Sequence, residues 1–227
     1  MTILDALPIA MLGALLGLDV VTFPQAMISR PIVAATVAGA FIGNPAAGLT
    51  IGAMMELIAL GMLPFGASKY PEWGSASVVG GVLYASHIGD PAGALPASLL
   101  AALITAVVSG WSMVRLRRMN AARAASQRRA LDAGSSSAIV GLQVFGLTAD
   151  FFRGGAVTLA AMLAFRPLIN VVVSVWHSDP LYSRAIVVTI AASAAAGAIW
   201  KIFHSVARAR ILFLAGLVAG VTLLVTR

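Results

Sequence analysis

"RPIVAATVAGAFIGNPAAGLTIGAMMELIALG", residues 30–61, decides the fold. Between Arg30 and Lys69 the only charged residue is Glu56, and the 38 residues in that interval are otherwise uncharged. As one helix they would run about 57 Å, far beyond a hydrocarbon layer of roughly 30 Å. The stretch must therefore break. Gly43-Asn44-Pro45 supplies the break, because glycine ends a helix, asparagine caps the next one and proline cannot continue the hydrogen-bond ladder. The first piece, 31–43, reaches only about 20 Å and reads as a half-helix or re-entrant element with Pro31 in its first turn; the second, 46–63, reaches about 27 Å. In transporters, short elements of this kind bring free backbone ends to the depth where substrates are held.

Working outward, apolar segments recur at about 6–23, 32–43, 46–63, 76–88, 92–114, 137–149, 154–175, 183–200 and 211–226. The chain is 60% hydrophobic and 10% charged, a composition outside that of soluble domains. The expected fold is all-α: a polytopic transmembrane helical bundle with short, broken or re-entrant helices, forming a single membrane domain over 1–227. The N-terminal segment has an acidic lead and lacks the basic start of a cleaved signal peptide, so it is read as part of the bundle. With no cysteine, there is no disulfide framework, thiolate nucleophile or Cys-based metal site. His87, His177 and His204 lie far apart, without metal-ligand spacing.

The net charge of +7 points to topology and not to nucleic acid, because the arginines cluster between apolar runs. Residues 115–134 carry Arg115, Arg117, Arg118, Arg123, Arg128 and Arg129 against Asp132. By the positive-inside rule this is a basic cytoplasmic loop or surface helix, and Lys201, Arg208 and Arg210 form a second cytoplasmic cluster. The chain then crosses out and back between them, turning near Trp176 and Tyr182, and 137–149 is expected as a short, re-entrant or interfacial piece.

Glu56 is the residue that the pattern makes conspicuous. A carboxylate facing lipid at mid-membrane costs about 2.5–3.5 kcal/mol, so it must face protein or a wet cavity. Gly48, Gly52 and Glu56, four apart, share a helix face where another backbone or a ligand can come near. Three roles stay open: a proton or cation site, an acceptor for a polyhydroxylated substrate, or the partner of a buried donor such as Arg30. Asp19 is a second carboxylate in an apolar run, with capping as its structural alternative. After the helix come Lys69, Tyr70, Glu72 and Trp73, residue types that hold sugars; Trp73 reads as an interfacial anchor, while Lys69 and Glu72 stay candidates.

The texts "GLD" (17–19), "RPIVAATVAGAFIGN" (30–44) and "GLTIGAMMELIALGMLPFGA" (48–67), in that order and spacing, resemble the IIC membrane subunit of the mannose, fructose and sorbose family of the phosphoenolpyruvate-dependent sugar phosphotransferase system (PTS). Ser29 and Met27 stand where that family commonly has histidine and an amide. The resemblance implies a permease subunit in the bacterial inner membrane that is no enzyme by itself. It would pair with a IID subunit in a higher oligomer, bind a hexose, and release it as the IIB and IIA phosphocarriers phosphorylate it. No cofactor is implied, and no Walker loop is present. The resemblance marks Glu56, Asn44 and Arg30, while the loop from Lys69 to Trp73 departs from the family; together with the reading of the residues, the substrate-binding candidates are Glu56, Asn44, Asp19, Lys69 and Glu72, supported by Arg30, Gly48 and Gly52. A second possibility is a transport-deficient receptor or regulator on the same scaffold. A third is an intramembrane hydrolase using Ser68 with His87, or Asp90, for which the flanking pattern is poor.

Overall fold

The computed structural model describes residues 2–226 apart from 21, 63–68, 88, 90, 205 and 207. Ser68 and Asp90 thus lie outside the described residues, as does the end of the apolar segment at 63. Among those described, the ordered elements are all helical: α1 (Ile3–Leu18), α2 (Pro31–Phe41), α3 (Pro45–Ala59), α4 (Trp73–Ala85), α5 (Ala94–Ser126), α6 (Arg128–Asp132), α7 (Ser136–Val175), α8 (Pro180–Phe203) and α9 (Ala209–Val225). Three of these, α5, α7 and α8, are long and apolar enough to cross a membrane.

The break in the 30–61 stretch falls where glycine, asparagine and proline place it. Gly43 sits at φ +88°, in the left-handed region that glycine enters without a Cβ penalty. The Asn44 side chain accepts the Ala47 N–H at 3.2 Å as N-cap of α3, and Pro45 takes the first helical position. The resulting hairpin is tight because Cβ atoms are missing along its seam. A Cβ on Gly48 would lie 3.0 Å from the Gly39 Cα, and one on Gly52 would lie 2.8 Å from the Pro31 carbonyl oxygen. Small residues let membrane helices approach backbone to backbone, where dispersion replaces the hydrophobic effect as the main attraction. The glycines read from sequence as room for a neighbour are thus filled by α2.

At the centre stands α4, buried on all sides from Gly74 to Ala85. It packs against α1, α2, α3, α5 and α7, while α8 leans on α3 and α5. Ile51, Met55 and Leu99 meet Val187 and Ala191 in one apolar cluster; Ile9, Leu16, Val78 and Met162 form another. Bulky apolar side chains on α7, α8 and α9, such as Phe152, Ile190 and Leu212, point outward, as lipid-facing positions of a membrane protein do.

Two stretches differ from expectation. The basic segment does not leave helical structure after 114: α5 continues to Ser126, since "RLRRMNAARAAS" is rich in strong helix formers and free of proline and glycine. Likewise 137–149 is no separate short piece but the first third of α7, which runs unbroken through 40 residues. At 33 and 40 residues, α5 and α7 span about 50 and 60 Å, so their paired ends extend past any bilayer. There, hydration in place of hydrocarbon removes the reason to stop. Following the alternating chain direction, Arg115–Arg129 and Lys201–Arg210 come to the same end of the bundle.

Candidate functional site

The N-terminus of α2 offers N–H groups that its own helix cannot satisfy, and its N-cap, Arg30, makes no side-chain capping bond. Glu56, from the last turn of α3, fills that role from outside. Its Oε2 accepts the Ile32 N–H at 3.3 Å, and its Oε1 accepts a charge-assisted bond from Arg30 Nη2. The carboxylate therefore meets both a guanidinium and the positive end of a helix dipole. Glu56 keeps 16% of its side chain exposed and Arg30 keeps 36%. The gap between those values matters: the acid is the inner partner, and the arginine is the face presented to space.

That space is a cavity of about 380 Å³, within the range of small-molecule clefts. Arg30, Asp19, Ser29, Gln25 and Trp73 line it, with Ala59 and Met62 from the end of α3. One wall is the α1–α2 loop. Asp19, only 2% exposed, fixes that loop by accepting the Ala26 N–H at 2.6 Å and both the N–H and hydroxyl of Ser29 at 2.8 Å. Gln25 and Met27 hold φ values of 58° and 63°, a region where non-glycine residues are strained. The loop is thus over-determined by its carboxylate clamp, as binding walls often are. The Trp73 indole N–H is buried without a partner, so a donor stands ready beside an aromatic face.

The structure brings Glu56, Arg30 and Asp19 together, with Gly48 and Gly52 seating α2 so that Arg30 reaches Glu56. It does not bring the other candidates there. Asn44 caps α3 at the far end, 12 residues or about 18 Å along the helix, and donates to the Ala85 carbonyl at 3.4 Å. Lys69 lies over the Trp111 ring at 4.2 Å on the flank of α5. Glu72 is fully buried as N-cap of α4, accepting the Ser75 N–H at 3.0 Å and the Ser109 hydroxyl at 2.6 Å. Trp73, by contrast, reads from sequence as an interfacial anchor and instead lines the cavity.

Glu72 leads into a network that sequence reasoning missed. Arg153 donates from Nε to Asp150 at 2.8 Å and from Nη1 to the hydroxyls of Ser109 at 2.8 Å and Ser112 at 3.1 Å. Asp150 also accepts from the Thr22 hydroxyl, tying the α1–α2 loop to α7. Arg153 is 8% and Asp150 1% exposed. Two opposite charges three residues apart inside an apolar helix, "ADFFR", were the available signal, since such a pair shares a face and must be buried.

The model for the PTS sorbose-specific IIC component matches residues 3–183. The chain belongs to this family. As a mannose/sorbose-family IIC protein it is 30% identical over 128 residues to the mannose-specific EIIC component of Escherichia coli K12, a match covering 55% of this chain and 45% of that one. It is also 37% identical over 54 residues to the sorbose-specific EIIC component of Lacticaseibacillus casei, covering 24% and 20%. The chain thus matches less than half the length of these relatives. A solved structure described only as a membrane protein superposes with a TM-score of 0.76 at 18% identity, covering 97% of this chain and 87% of that one. The mannose transporter ManYZ in complex with microcin E492 gives 0.60 at 18% identity over the same shares. These two likenesses concern the fold, which this IIC chain shares with known membrane proteins.

Proposed function

We propose that the chain is the sugar-binding and translocating IIC subunit of a PTS transporter for a hexose of the mannose, fructose and sorbose class. In this proposal it works with a IID subunit, in a higher oligomer of IIC–IID pairs, and the sugar is phosphorylated on release by IIB charged from IIA. The chain itself carries no phosphoryl group. The arginine-bearing end is cytoplasmic, by the positive-inside rule, and the membrane is the bacterial inner membrane.

One observation carries the proposal: Arg30, gripped by Glu56, faces a cavity that also receives Trp73 and the clamped loop. A neutral polyol suits that lining. The guanidinium and the unpartnered indole N–H donate to hydroxyl oxygens, the Asp19 carboxylate accepts, and the tryptophan ring covers an apolar sugar face, while Glu56 holds the guanidinium in place. Release toward the arginine-bearing end would hand the sugar to IIB.

The test is a reconstituted pair of this chain with a IID subunit, titrated with D-mannose and L-sorbose. Binding is expected for the pair and lost with Glu56→Gln, while that variant still inserts and purifies. Unchanged binding by Glu56→Gln would overturn the assignment.

A further inference from the structure

A second polar cavity, of about 520 Å³, lies between α5 and α7 on the other side of the α1–α2 loop. Thr22, Phe23, Arg117, Asn120, Gln143 and Asp150 line it, together with apolar side chains of the two long helices. The two cavities share a wall and no lining residue: Gln25, Met27 and Ser29 face the Arg30 cavity, whereas Thr22 and Phe23 face this one. Along α5 it occupies the stretch 113–120, one to three turns beyond Ser109 toward the basic end.

We propose that this second cavity is a sugar-holding chamber on the release side, with residues 22–30 of the α1–α2 loop as the partition between it and the Arg30 cavity. The inference rests on the sugar-carrying reading above. The lining has the mixed character that a polyol needs. Asn120 Oδ1 is buried with no partner and calls for a donor. Asp150 is a further acceptor, the exposed Gln143 amide supplies a donor beside Arg117, which also donates to the Tyr70 hydroxyl, and Phe23 offers an apolar face. Within the described lining Arg117 and Asp150 cancel in charge, so the wall itself suits an uncharged sugar. The partition is latched on both faces, by Asp19 on one side and by the Thr22–Asp150 bond on the other. Its two positive-φ residues mark it as a segment held away from its relaxed shape.

The absence of cysteine makes the test clean. Gln143→Cys places a single thiol in the chamber, and Val144→Cys, exposed on the same helix but outside the lining, serves as control. Each variant, paired with IID in vesicles, is reacted with a maleimide with and without D-mannose, and mannose binding is followed separately by tryptophan fluorescence. At ten times Kd, mannose should slow the reaction at 143 about tenfold, since roughly one site in eleven stays empty, and leave 144 unchanged. No protection at 143 while mannose still binds overturns the chamber and spares the Glu56 site. Equal slowing at both positions overturns it as well, since closure and not occupancy is then responsible. Protection by mannose 6-phosphate instead of mannose overturns the assignment to an uncharged sugar. Failure of mannose to bind at all overturns both proposals.

Discussion

Replacing Glu56 and Arg30 with methionine, singly and together, separates scaffold from function at the ion pair whose arginine faces the first cavity. Glu56 makes a charge-assisted bond, worth about 1.5–3 kcal/mol, and sits at a helix N-terminus, worth about 0.3–1 kcal/mol. Because Arg30 is 36% exposed, solvent screens part of the attraction and the lower half of those ranges applies. Glu56→Met should therefore cost about 2–3 kcal/mol, or about 4–12 °C in Tm for a chain of this size. Arg30→Met should cost a similar amount, since it leaves a mostly buried carboxylate with one weak partner. The double variant removes both charges and should cost less than the two singles combined, by a coupling of about 1.5–3 kcal/mol. Thermal unfolding of the purified chain in detergent gives the stabilities, and sugar titration of the IIC–IID pair gives function. The expected result is a double variant that regains stability without regaining sugar binding. A double variant that binds mannose as the parent does would refute the reasoning, because the pair would then be scaffold alone.

Two further outcomes follow from packing and burial. Arg153→Met leaves Asp150 and Glu72 buried without their cation and should destabilise by about 3–5 kcal/mol in detergent melts, whereas Arg153→Met with Asp150→Leu should recover much of the loss; equal losses would contradict a buried ion pair. Gly48→Ala pushes a Cβ into the α2 backbone near Gly39, so α2 must shift; a cost of about 1–3 kcal/mol and weaker sugar binding are expected, and a variant with parental Tm would refute the close seam.

Much of the fold was legible because its signals are local. Gly43-Asn44-Pro45 carries its own stop, cap and start, so the α2–α3 hairpin follows from residue chemistry. The same holds for Glu56, whose placement in an apolar run allows only a protein-facing or wet site. The site was only partly legible. Gly48 and Gly52 announce a close approach without saying by what, and α2 proved to be the answer. Asn44 and Glu56 lie on one short helix, yet helix length alone holds them at opposite ends.

By itself the sequence determined that this is a helical membrane protein, where its second helix breaks, and that its arginines gather in two clusters, because hydrocarbon tolerates neither open backbone nor stray charge. Only the tertiary structure decided that Arg30 meets Glu56, that Trp73 turns inward while Lys69 turns to α5, and that Glu72, Asp150 and Arg153 join in one buried network. Those pairings connect residues up to 128 positions apart, Thr22 to Asp150 among them. No local rule encodes them, since they depend on which helices pack side by side and at what height.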